Sequence, residues 1–151
     1  MLYLLAFLAG CSGISEETID LLSPDYDRIS EEEVDSLMVA AASSIGDEYF
    51  RRCERGEFEP FGNEATTRMR QALTPERQEE AWEEISGIYG DYESIRFDSV
   101  WEPIDGTKLT IYRFRARFTD VKADPELRII LDGNGKLSGL WVKPWRPMLV
   151  R

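Results

Sequence analysis

The sequence predicts an α+β fold, because the spacing of its apolar residues changes partway along the chain. Up to Tyr89 they recur at three- and four-residue steps, and from Tyr92 onward they alternate. Three amphipathic helices followed by four strands imply helices segregated on one face of an antiparallel meander. With 151 residues, 42% of them hydrophobic and 31% charged, the chain has the material for one domain with a true core plus a short appendage.

The helices come first. Ser30-Glu31-Glu32-Glu33 reads as a capping box, with Ser30 as N-cap and Glu33 reaching back. Val34, Leu37, Met38, Ala41, Ala42, Ile45, Tyr49, Phe50 and Cys53 then trace one apolar stripe to about Arg55, where Gly56 suits a left-handed stop. Cys53, on that stripe, reads as a small buried residue. A second helix is expected from about Asn63 to Ala72. Thr74-Pro75-Glu76 marks the start of a third, with Trp82, Ile85, Ile88 and Tyr89 inward and Glu79, Glu80, Glu83 and Glu84 on a solvated face.

The strands follow. Ile95, Phe97, Ser99 and Trp101 alternate with Arg96, Asp98, Val100 and Glu102, and Asp105-Gly106 signals a tight turn. From Lys108 to Thr119, Tyr112, Phe114, Ala116 and Phe118 share one face, while Arg113, Arg115 and Arg117 line the other. That arginine row is a candidate contact for an anionic ligand or partner. Pairing with acids such as Asp98, Glu102 and Glu126 is its ordinary explanation. Strands at Leu127–Leu131 and Lys136–Lys143 meet across Gly133-Asn134-Gly135. The run from Asp132 begins like a calcium loop, but Lys136 and Lys143 stand where ligands belong, so it reads as a hairpin turn.

Charge and composition narrow the function. The formal net charge is −11, and between Ser12 and Asp35 nine acids face a single base, Arg28. A chain of this sign is a poor ligand for nucleic acid, and an anionic membrane surface repels it unless something else holds it there. The chain has no histidine and only two cysteines, Cys11 and Cys53. Ser-His-Asp and Cys-His catalysis and His-containing zinc sites are therefore excluded. No catalytic residue, metal ligand or cofactor site is assigned.

The first eleven residues form an apolar run, about half of the roughly 20 that a membrane-spanning helix needs. Leu8-Ala9-Gly10-Cys11 resembles a lipobox, the processing and lipidation signal of prokaryotic lipoproteins, although Met1-Leu2-Tyr3 lacks the usual positive charge. The resemblance implies a signal peptide at 1–10 and a lipid on Cys11, with two acyl chains supplying stable anchoring. The competing reading is a short apolar element packed on the domain, with Cys11 buried. Residues 11–29 then read as an acidic tether, 30–145 as the folded domain and 146–151 as a C-terminal tail.

Three features carry a second resemblance, over about residues 32 to 144. The long first helix closes in Arg55-Gly56-Glu57-Phe58, and the Trp82 helix ends before Tyr89-Gly90. The last hairpin reads Gly135-Lys136-Leu137-Ser138-Gly139-Leu140-Trp141. Together they resemble a nuclear-transport-factor-2-like (cystatin-like) domain of unknown function. The resemblance implies a cone in which a curved sheet wraps the long helix and leaves a pocket, and it supplies no catalytic residues. Tyr49, Trp82, Trp101, Tyr112 and Phe114 are the candidate pocket lining. The preferred reading is a lipid-anchored, extracytoplasmic, non-catalytic module that binds a small apolar ligand or a protein partner. The alternative is a pocket enzyme of the ketosteroid-isomerase or dehydratase type, which needs a carboxylate inside the cavity. A third reading is homodimerisation through the open sheet face, with Leu140 and Val142 on the arginine side.

Overall fold

The first long helix is set by its cap. In the computed structural model, which describes residues 26–120, 124–146 and 149, α1 spans Ser36–Glu54 and starts from Asp35. The Asp35 carboxylate accepts from the Leu37 and Met38 amides at 2.9 and 3.3 Å. This corrects the expected start at Ser30. The Ser30 hydroxyl donates to the Glu33 carboxylate at 2.6 Å and closes an isolated turn, so it caps no amide. The chain before that turn is already engaged: Tyr26–Arg28 forms β1, and the Ile29 amide donates to the Val100 carbonyl at 3.0 Å.

The second helix, α2 (Thr67–Ala72), is shorter than its apolar spacing suggested. The residues before it are drawn into the sheet instead. Glu64 accepts from the Leu137 amide at 2.8 Å, and the Thr66 amide donates back to the Leu137 carbonyl at 2.9 Å. This pairing protects the outermost strand, where unpaired backbone would invite aggregation. The third helix, α3 (Pro75–Tyr89), begins and ends as expected. At its end Gly90 has φ 80°, and a Cβ there would collide with the side chains of Thr119 and Asp120. Three residues assigned inward are exposed: Leu37 at 80%, Ile88 at 43% and Ala41. On α3, Ile85 is buried and Trp82 and Tyr89 pack partly buried against the core, as expected, and Gln78 and Ala81 complete the buried side. The Gln78 amide donates to the carbonyls of Glu59 and Leu73, tying α3 to the preceding loop.

The sheet has five strands, not the four expected: β1, β2 (Tyr92–Pro103), β3 (Leu109–Phe118), β4 (Glu126–Asp132) and β5 (Leu137–Lys143). It is antiparallel throughout, with the strands in sequence order. Asp132 organises the last hairpin, its carboxylate accepting from the amides of Asn134 and Lys136, each at 2.9 Å. The turn reading of that run therefore holds. The added strand, β1, escaped notice because three polar-rich residues carry no alternating signal.

One helix fills the inner face of the sheet. Phe50 of α1 is fully buried, with its ring 4.9 Å from Tyr92, 5.6 Å from Phe118 and 6.0 Å from Trp82. Around it pack Tyr112, Phe114, Ala116 and Phe118 of β3, Leu127 and Ile129 of β4, and Leu140 and Val142 of β5. The helix lies close because Gly46 faces the sheet, where a Cβ would come within 2.7 Å of Leu127. Phe50→Ala would remove the ring that joins α1 and α3 to the sheet. It is expected to cost about 3–5 kcal/mol in urea unfolding, whereas Leu37→Ala should stay within about 0.5 kcal/mol of the parent.

Candidate functional site

The other face of the sheet owes its character to one irregularity in β2. Phe97 pairs with Phe114 and Ser99 with Arg113, which leaves Asp98 as an extra residue in a bulge. The bulge shifts the alternation by one. Val100 turns to the inner core, while Ser99 and Trp101 turn to the outer face. This corrects the expectation that Phe97, Ser99 and Trp101 share a face. It also aims Asp98 at the arginines of β3.

Arg113 lies at the centre of the outer face and is fully buried. Its Nε and Nη2 donate to the two oxygens of Glu126 at 2.9 and 2.8 Å, a two-pronged contact that a guanidinium is shaped to make. Nη2 also donates to the Arg146 carbonyl at 2.7 Å. Arg128 donates to Glu126 from the far side. Nη1 of Arg113 is buried with no hydrogen-bond partner among the described residues, and its ion-pair neighbour Asp98 is 4.0 Å away. Asp98 is also 3.9 Å from Arg115 Nε. It accepts from the Ser99 hydroxyl at 2.7 Å, and Ser99 in turn accepts from the Trp101 indole at 2.9 Å.

The segment after β5 covers this cluster. The Trp145 ring lies 3.7 Å from the Arg115 guanidinium carbon and 4.5 Å from that of Arg113, so one indole stacks on both cations. Leu149 packs beside Trp101 and Ile111. The result is a second, smaller core with an ionic centre on the face expected to be open. Burial alone would raise the pKa of Glu126. Hydrogen bonds and charge from Arg113 and Arg128 outweigh it and hold the carboxyl below its ordinary range, so it stays ionised.

The candidate residues therefore separate into different places. Arg113 and Arg115 meet under Trp145, whereas Arg117 projects with its side chain 71% exposed and pairs with Glu93 at 2.9 Å. Of the acids expected to pair with the row, Asp98 and Glu126 do so. Tyr49, Tyr112 and Phe114 are buried in the inner core. Trp82 is half-buried and lines an open cleft of about 500 Å³ with Glu54, Ser86, Asp91 and Tyr92. Trp101 lies on the opposite face, because of the bulge. Leu140 and Val142 face the inner core, and the outward neighbours on β5 are Trp141 and Lys143, 4.6 Å apart. Cys53 is buried and its thiol is pushed up to about 11 by burial. Cys11 lies outside the described residues. Among those residues no group of three or more acidic or cysteine side chains converges where a metal ion could sit.

Arg128, Ser99 and Trp145 are the members of the cluster that sequence reading missed. Arg128 stands two residues from Glu126 and directly across from Arg113, the register of an ion triad, and this was the available signal. Nothing before the fold tied Trp145 to the arginines. No protein-family model matches the chain, and no curated protein or solved structure matches it at a significant level.

Glu126→Gln would leave two buried guanidiniums without their counter-charge and is expected to cost about 3–5 kcal/mol near neutral pH. Because the folded pKa of Glu126 lies below the unfolded value of about 4.3, its contribution is complete above that value. The contribution is lost as pH falls through the lower folded value. Urea unfolding of parent and variant as a function of pH should show the gap between them narrowing below about pH 4.

Proposed function

We propose that this chain is a tethered binding module of the nuclear-transport-factor-2-like kind, held on the extracytoplasmic side of a prokaryotic membrane by a lipid on Cys11. Its binding surface is the outer face of the sheet. The observation that carries the reading is the Arg113–Arg115–Trp145 stack. A face that only needed to be soluble would leave its arginines in water. This one sets two guanidiniums against a single indole beside a two-pronged ion pair.

The order of elements supports the family reading, with three helices, a long one across the sheet, then an antiparallel meander. The lipobox supports the anchor, and the acidic residues after Cys11 suit a solvated spacer. Among the described residues no helix is long and apolar enough to cross a membrane, so the proposed attachment rests on Cys11. The pocket-enzyme alternative needs a carboxyl with a raised pKa inside the helix–sheet space. Glu126 is the buried carboxylate of the described residues; it lies on the other face and stays ionised.

The full chain produced in a host that processes lipoproteins tests the anchor. Intact mass should show a polypeptide starting at Cys11 and carrying a diacylglyceryl group, in the membrane fraction. Cys11→Ala should move the protein to the soluble fraction. An unmodified chain that keeps Met1 would overturn the anchored reading.

A further inference from the structure

We propose that the open cleft between α3 and the start of β2 is a binding site for a primary ammonium group carried on an alkyl chain. The chain lies on the Trp82 ring, and the carboxylates of Glu54 and Asp91 take the ammonium. This site is on the helix side of the sheet and stands whether or not the outer face binds anything.

The cleft itself is the first argument. It has a volume of about 500 Å³ and is lined by Glu54, Trp82, Ser86, Asp91 and Tyr92. That is room for a small molecule or for one long side chain. The half-buried Trp82 ring lies 6.0 Å from Phe50 and 6.4 Å from Phe118, which hold it against the core. What they leave uncovered is a fixed aromatic wall, on which methylene groups and a cation can both rest. Charge is the second argument. The lining holds two carboxylates and, among the described residues, no cation. Asp91 is fixed through its backbone, its amide donating to the Thr119 hydroxyl at 2.9 Å and its carbonyl accepting from the Thr119 amide at 3.0 Å. Its carboxylate has no partner among the described residues. Glu54 accepts from the Tyr92 amide at 2.6 Å through one oxygen, which leaves the other for a ligand. Arg51 lies over the Tyr92 ring at 5.6 Å, but Asp47 holds it at 2.8 Å. One guanidinium thus stands against three carboxylates, Asp47, Glu54 and Asp91.

The third argument is the direction of the hydrogen bonds. The Ser86 hydroxyl already donates to the Trp82 carbonyl at 2.7 Å, and the Tyr92 hydroxyl to Asp47 at 2.7 Å. The oxygens left to a ligand are therefore acceptors, which suit N–H donors and repel an anion. A bare metal ion is poorly served. Among the described residues no three acidic or cysteine side chains converge, and a strongly hydrated ion gains little from an indole. An alkylammonium uses the whole lining, with its carbons on the ring and its N–H groups on the carboxylates. A small free amine and the lysine side chain of a partner share this chemistry.

The test titrates the ¹⁵N-labelled full chain at neutral pH and constant ionic strength, following the Trp82 indole N–H and the Tyr92 amide. The probes are n-pentylammonium chloride, Nα-acetyl-lysinamide and ammonium chloride. The expected result is saturable movement of both resonances with a probe that carries the alkyl chain. Bare ammonium should bind at least about fivefold more weakly, because it has no methylene groups to place on the ring. Saturation by Nα-acetyl-lysinamide as readily as by pentylammonium would assign the site to a lysine side chain of a partner. Saturation by pentylammonium alone would assign it to a free amine. Asp91→Asn should weaken binding about threefold or more, the loss of one ion pair at an accessible site. The variant keeps the backbone bonds to Thr119 and should fold; matching far-ultraviolet spectra check that it does. Glu80→Gln, on the exposed side of α3 and outside the cleft, should change binding by less than about 1.5-fold. Equal losses in the two variants would mean general attraction to an acidic protein and overturn the site. So would ammonium binding as tightly as the alkyl probes, binding unchanged in Asp91→Asn, or no saturable response to any probe.

Discussion

The outer half of this molecule is organised around one carboxylate held between two guanidiniums. Glu126 meets Arg113 through two hydrogen bonds and Arg128 through a third, in a place closed to water. Removing such ions from water costs several kcal/mol each, and their attraction offsets that cost only with good geometry. The fold supplies the geometry. Antiparallel pairing puts Arg113 directly opposite Arg128, and Glu126 two residues along the same face. The segment after β5 seals the cluster with the Trp145 ring and the Arg146 carbonyl. Without that cover the same three residues would be an ordinary solvated ion pair, worth little.

Both faces of the sheet therefore carry a buried core, by different means. The inner face packs against one long helix through aromatic rings and needs only size and shape. The outer face has a smaller core, mixed in polarity, to which Trp145 and Leu149 contribute from beyond β5. The bulge at Asp98 joins the two. It lets β2 give Ile95 and Val100 to the inner core while delivering Ser99 and Trp101 to the outer one. A strict alternation would have put Val100 among the arginines and Trp101 under the helix. The long helix and the outer-face cluster thus share one sheet, and the bulge decides which residues each receives.

Much of the fold was legible in the sequence because its periods are strong. The stripe from Met38 to Cys53, the proline start of α3, and the alternation of Tyr112, Phe114, Ala116 and Phe118 each point to one element. What stayed hidden depends on distant partners. Ser30 and Glu33 look like a cap but lose to Asp35, because residues 26–29 are already paired with β2. Residues 63–66 have helical spacing yet follow the edge of β5. The site was half legible. The alternation marked Arg113, Arg115 and Arg117 as a row, and the acids near them as partners. It could not show that the row divides into a buried pair and an exposed arginine. That division depends on the bulge and on Trp145, 30 residues after Arg115 in the sequence.

The central claim is that Arg113 is sealed within the outer face, and side-chain amide exchange tests it most directly. In a ¹H–¹⁵N spectrum of the arginine Nε–H groups at neutral pH, exposed guanidinium protons exchange with water quickly. Sealed, hydrogen-bonded ones do so only when the structure opens. The account predicts a slowly exchanging Nε–H for Arg113, well resolved beside a rapidly exchanging Arg117. Equal, fast exchange at both positions would mean that the outer face is open to water, contradicting the sealed ion cluster on which the account depends.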